Sequence, residues 1–181
     1  MKSGDTGGLL EYLQRMQFED LNFSYAIQVD LDDLITNIFW ANGRMNLDYE
    51  YFGDVACFDT TYKKNKEGRP FALFVGVNHH KQTIIFGVAL LYDEISETFM
   101  WLFDSFQKAM FGKKLQTILT DQDAAMAKAL ASQWQKHIIV YVFGICARMQ
   151  LRTLKKYLEG IVLLQQILVV VYMTMTMKMI F

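Results

Sequence analysis

One proline, two cysteines and three histidines are all that this 181-residue chain contains of those residue types. Two cysteines, Cys57 and Cys146, are too few for a disulfide framework and point to a reducing intracellular compartment. Together with His79, His80 and His137 they show no zinc-binding spacing, and the His79-His80 pair reads as decoration of a polar turn. There is no internal repeat, no low-complexity linker and no phosphate-binding glycine loop. Met1 to Gly8 is polar and lacks the apolar core of a signal peptide. The run Ile161 to Met173 is too short to span a bilayer and is interrupted by Gln165 and Gln166, so no membrane partner is expected. Positive charge is scarce: residues 1–134 carry 12 Lys or Arg against 18 Asp or Glu, a net of −6. That balance excludes a broad basic nucleic-acid surface there. The local cluster Lys63, Lys64, Lys66 and Arg69 reads as a solvated hairpin loop.

What is present is a regular alternation of apolar segments. Val55, Cys57, Asp59 and Thr61 alternate with Ala56, Phe58, Thr60 and Tyr62, and the β-branched and aromatic content suits a strand. Gly68-Arg69-Pro70 closes it. Phe71 to Val77 and Thr83 to Leu91 are two further strands, joined by the polar turn Asn78 to Gln82 as a hairpin. Ser96 stands as the expected N-cap of an amphipathic helix, with Phe99, Leu102, Phe103, Phe106 and Met110 at helical spacing and Gly112 as the stop. Leu115 to Thr120 is a short strand, and Asp121-Gln122-Asp123 ends it and caps a helix from Ala124 to Ala131. Leu9, Leu10, Leu13 and Met16 form a helical stripe nearer the start, and Trp101 and Trp134 read as core anchors.

If the fourth of these strands runs parallel beside the first, Asp59 and Asp121 converge. Paired carboxylates suit Mg²⁺ or Mn²⁺, because hard cations take oxygen ligands and can activate water against a phosphodiester. Asp121 alone is most simply a helix cap. Asp59 is different, since a carboxylate inside an apolar strand is costly to bury without a partner. Thr60 and Thr61 have no histidine base placed to activate them, which disfavours nucleophilic hydrolysis.

The motifs FDTTY, PFALFVGVNHH and TDQDAAM, taken together, carry a resemblance to the central domain of the plant far-red-impaired-response family, which are domesticated relatives of Mutator-like element transposases. It covers roughly residues 1 to 134, since GDTGGLLEYLQRMQ and FSYAIQVDLDDLITNIFWAN are similar to the family's lead-in helix and hairpin. The resemblance implies an α/β fold of ribonuclease-H type: a mixed sheet of three antiparallel strands, a helix, a parallel fourth strand and a helix, incomplete at its C-terminus. Residues 1–52 then form a lead-in helix and hairpin, and 53–134 the N-terminal part of the transposase domain. Asp59 and Asp121 match the first two members of an Asp-Asp-Glu triad, as vestigial catalytic and metal-binding residues. The third acid is expected to fall outside this chain.

Residues 135–181 carry six Lys or Arg against the single acid Glu159, and include the ladder Met173-Thr174-Met175-Thr176-Met177-Lys178-Met179. Shifting the codon frame turns each Met-Thr junction into Asp and Met177-Lys178 into Glu. The same frame lets Tyr141-Val142 give Cys, Phe143-Gly144 give Trp and Gly144-Ile145 give His. The tail is therefore expected to be out of frame, after loss of one base just past Trp134. Its apolar, β-prone stretch Ile138 to Ile145 can nevertheless add as a fifth strand to the edge beside Leu115–Thr120.

The resemblance implies a nuclear transcription regulator of light signalling, with DNA and related family members, as homo- or heterodimers, for partners. It implies no enzyme activity, and zinc only in family modules outside this chain. No basic import signal is visible, so the nuclear location rests on the resemblance. The alternative is the remnant of a metal-dependent Asp-Asp-Glu DNA transposase, holding Mg²⁺ or Mn²⁺ weakly at Asp59 and Asp121.

Overall fold

The computed structural model describes residues 5–61, 69–113, 115–121, 123–134 and 138–141. Among these residues the elements in chain order are α1 (Asp5–Glu19), β1 (Ser24–Val29), β2 (Ile35–Ala41), α2 (Gly43–Phe52), β3 (Val55–Thr61), β4 (Phe71–Val77), β5 (Thr83–Leu90), α3 (Ser96–Ala109), β6 (Thr117–Thr120), α4 (Ala124–Gln133) and β7 (Ile138–Tyr141). The strands form one sheet in the order β1-β2-β5-β4-β3-β6-β7. Pairing is antiparallel from β1 through β3, and parallel between β3 and β6 and between β6 and β7. This is the mixed sheet of a ribonuclease-H-like fold. Its lead-in hairpin β1–β2 belongs to the same sheet through β2 and β5.

The core forms where the aromatic stripe of α3 meets the sheet. Phe99, Leu102, Phe103 and Phe106 recur at helical spacing and are all buried. Phe106 stacks on Phe74 of β4 with ring centroids 3.9 Å apart, and Phe103 meets Phe58 of β3 edge to face at 5.1 Å. Edge-to-face and offset pairs of this kind contribute about 0.5–1.5 kcal/mol beyond burial. Two strand glycines make room for these rings. A Cβ on Gly87 would lie 2.8 Å from the Phe39 ring and 3.3 Å from Phe106, and one on Gly76 would lie 2.2 Å from the Phe86 ring. Trp134 closes the far side of α3, buried against Phe103 at 5.0 Å, with its Nε1 donating to Gln107 Oε1.

Several local expectations change. Ser96 is the first residue of α3 and is buried. The N-cap is Ile95, with no side-chain cap hydrogen bond, and the Asp93 carboxylate just before it accepts from the hydroxyl of Thr98 at 2.5 Å. The cap of α4 is Asp123, which accepts from Met126 N at 2.7 Å, so Asp121 is not the helix cap. Helix α2 was not expected, yet Asn42 marks its start by accepting from Met45 N. In α1, Leu9 and Leu13 are buried while Leu10 is exposed. Trp101 is only half-buried. Cys57 is buried in β3 and disulfide-bonded. Ile138–Tyr141 lies against β6 as a parallel strand, and residues 142–145 lie outside the described residues. No helix among the described residues is long and apolar enough to cross a membrane.

Candidate acidic site

Strand β3 is the pivot of the sheet, flanked by antiparallel β4 and parallel β6. Its register with β6 pairs Val55 with Thr117, Ala56 with Ile118 and Cys57 with Leu119. Continued by two residues, the same offset sets Asp121 beside Asp59. Asp121 is the first residue past β6, and its charge acts on the Asp59 carboxyl. The turn after β6 is held from below: Thr120 is fully buried and its hydroxyl meets Met126 Sδ in α4, while the Asp123 cap fixes the first turn of that helix.

Asp59 is 5% exposed and pairs across β4 with Leu73 in an apolar setting. Burial, then the neighbouring charge of Asp121, push its carboxyl up to about 6, with Glu94 adding in the same direction and a hydrogen bond from the Thr60 backbone N–H opposing. Asp121 is only partly buried, yet its Oδ1 is shut off from solvent and has no hydrogen-bond partner among the described residues. Glu94, just before α3, is a residue that sequence reasoning missed: it accepts a short hydrogen bond from Thr60 Oγ1. Only its place in the acidic step Asp93-Glu94 between β5 and α3 hinted at it.

The structure thus brings together the two acids expected to converge, with a third close enough to act on one of them. Among the described residues, no group of three His, Cys, Asp or Glu side chains is placed to hold a metal ion. The donor chemistry of Asp59 and Asp121 nonetheless fits a hard cation, and the orphaned Asp121 Oδ1 is an acceptor with no proton donor to meet it. His79 and His80 lie in the β4–β5 turn with rings 3.8 Å apart, His79 against Phe52. Lys63, Lys64 and Lys66 lie outside the described residues. Arg69 is spent on structure, donating to the Thr36 carbonyl and lying over the Tyr92 ring at 5.1 Å.

A mixed sheet that sets two aspartates side by side at the ends of a parallel strand pair is the scaffold of a transposase-type domain, and residues 55–148 match the model of the MULE transposase domain. The chain belongs to that family, on its plant far-red-impaired-response branch. It is 44% identical to Protein FAR-RED IMPAIRED RESPONSE 1 of Arabidopsis thaliana over 131 residues, which are 72% of this chain and 16% of that protein. It is 42% identical to Protein FAR1-RELATED SEQUENCE 7 of the same plant over 68% of this chain and 16% of that one. The chain thus spans about a sixth of the length of these relatives. A solved structure of the HTLV-2 integrase catalytic core domain in complex with magnesium aligns over 65% of this chain and 82% of its own, at 19% identity and a TM-score of 0.35.

Proposed function

We propose that this chain is a transposase-derived nuclear regulator of transcription, in which the domain serves as a scaffold for protein contacts and Asp59 and Asp121 are vestigial. The observation that carries the reading is membership of the far-red-impaired-response branch. The site chemistry agrees with it. A carboxyl raised to about 6 and a partly buried neighbour offer few oxygens, and a hydrated Mg²⁺ or Mn²⁺ keeps most of its waters when few are offered. Phosphodiester cleavage by two ions needs both held in place, a task to which a third acid contributes. On this reading that acid belongs to a part of the domain beyond residue 134, where this chain is out of frame, and zinc belongs to modules elsewhere in the longer proteins. When bound, a cation at Asp59 and Asp121 would supply Lewis acidity. The chain's own contribution is to hold the two carboxylates near each other and to keep Asp59 away from bulk water.

The second reading, a remnant transposase or nuclease, is favoured by one detail, the buried unpaired Oδ1 of Asp121. One experiment separates the two. The chain is fused to a heterologous DNA-binding domain and scored on a reporter in plant nuclei, while the purified protein is incubated with supercoiled plasmid and Mn²⁺. Regulation predicts altered reporter output with nicking at background. Metal-dependent nicking that disappears in Asp59→Asn would establish the enzyme instead.

A further inference from the structure

The sheet ends at β1, and β1 is unlike a guarded edge. Its residues Ser24-Tyr25-Ala26-Ile27-Gln28-Val29 include no Lys, no Pro and no charge of either sign. Edge strands normally carry such residues, because their outward N–H and C=O groups template the addition of another strand. Among the described residues, β1 has a backbone-paired neighbour on one side only, β2. Its single irregularity is a register shift at Gln28/Val29, at the very end. Val29 is 51% exposed and Leu31, in the turn that follows, is 104% exposed.

The flanks say what the edge would accept. From Glu19 to Asp33 the chain has five acids, Glu19, Asp20, Asp30, Asp32 and Asp33, and no Lys or Arg. They fall on both sides of the strand. Asp20 and Asp30 use their carboxylates locally, on the N–H groups of Asn22 and Gly43 and of Asp32 and Leu34. Asp32 and Asp33 are exposed at the tip of the turn. Glu19 meets Arg15 at 3.9 Å, in the open. A second copy of this chain is a poor guest, because antiparallel pairing of two β1 strands would set the Asp30–Asp33 turn of each beside Glu19 and Asp20 of the other, like charge against like.

We propose that the outer edge of β1 is a docking site for an extended protein segment whose uncharged, β-prone centre is flanked by Lys or Arg. Backbone hydrogen bonds to Ser24–Val29 supply the common part of the affinity, and the acidic ends supply selection among guests. The site is separate from Asp59 and Asp121, which lie four strands away across β2, β5 and β4 in β3 and beyond.

The test uses the full chain and three fluorescent peptides. The first is Lys-Arg-Thr-Val-Thr-Tyr-Thr-Val-Lys-Arg. The second has Glu and Asp in place of the Lys and Arg, and the third is the first N-methylated at alternate central residues along its docking edge. We expect the basic peptide alone to bind, and saturation with it to slow hydrogen exchange of the outward amides of β1 at least tenfold. Asp32→Asn with Asp33→Asn should weaken binding about threefold to tenfold at low salt, as exposed charge pairs do; asparagine tolerates the positive φ of residue 33. Asp59→Asn should leave the affinity unchanged. The proposal is overturned by absence of binding, by equal binding of the acidic or N-methylated peptide, or by protection elsewhere than β1. It is equally overturned if peptide-free protein sediments as a dimer with β1 amides already protected, which would assign the edge to a second copy.

Discussion

Asp121 follows directly on the end of β6, beside the strand that carries Asp59, and its charge is, after burial, the main reason the carboxyl of Asp59 rises to about 6. The pair therefore carries an electrostatic cost whenever both are ionised and nothing positive lies between them.

That cost sets a pH dependence. The folded-state pKa of Asp59 is above its ordinary 3.8, so folding favours the protonated form. The associated stability is fully present below about pH 4 and is lost as pH rises through about 6. A shift of that size corresponds to about 2–3 kcal/mol. Asp59→Asn should therefore be more stable than wild type at pH 8 without metal, with the advantage shrinking towards pH 4. Urea denaturation of both proteins at several pH values measures the difference; an advantage independent of pH would show that Asp59 is not the titrating group.

Metal binding should run the opposite way with pH. Mn²⁺ requires the ionised carboxylate, so its weak affinity should fall as pH drops below about 6. Asp59→Asn should abolish binding and Asp121→Asn should weaken it strongly. Asp123→Asn should do neither, because Asp123 faces Met126 N and asparagine caps a helix as well as aspartate. Calorimetric or paramagnetic titration with Mn²⁺ decides, and an Asp123→Asn effect equal to that of Asp121→Asn would misplace the site.

Gly87→Ala tests the packing beneath α3. The added methyl meets the Phe39 and Phe106 rings at 2.8 and 3.3 Å, so the helix or the β2 ring must shift. Overpacking of this kind costs about 1–3 kcal/mol. A thermal midpoint unchanged from wild type would mean that the aromatic layer yields freely.

The proposed frame change is checked at the nucleic acid. Sequencing of the transcript across the Trp134 codon, alongside related genes, should show one base missing just after that codon and an acidic stretch in the restored frame. An intact frame encoding the same Met-Thr ladder in related genes would refute it.

How much of this was legible depended on the range of the interactions. The α3 stripe, the β4–β5 hairpin and the placement of Asp59 within a strand follow from periodicity, which is local. The union of β1–β2 with the main sheet is not local, because nothing in Ile38–Trp40 announces that Val88–Leu90 is its partner. Helix α2 carries little periodic signal, because one of its three buried residues, Met45, Asn46 and Tyr49, is polar. Ser96 has the chemistry of an N-cap but sits one residue too late, inside the helix, because the chain enters α3 at Ile95. Glu94 could not be paired with Thr60 from spacing, since 34 residues separate them.

The hairpin of β4 and β5 holds a further consequence. Phe74 pairs with Gly87 and Val75 with Ile85, so Phe86 is one residue more than β4 can match, and its ring fills the space where Gly76 has no side chain. The surplus on one strand and the vacancy on the other are a matched set. Deleting Phe86 would leave the flanking pairs in regular register but empty the space beside Gly76, whereas enlarging residue 76 would displace the ring. A residue larger than glycine at 76 therefore needs either a shift of the Phe86 ring or a smaller side chain at 86.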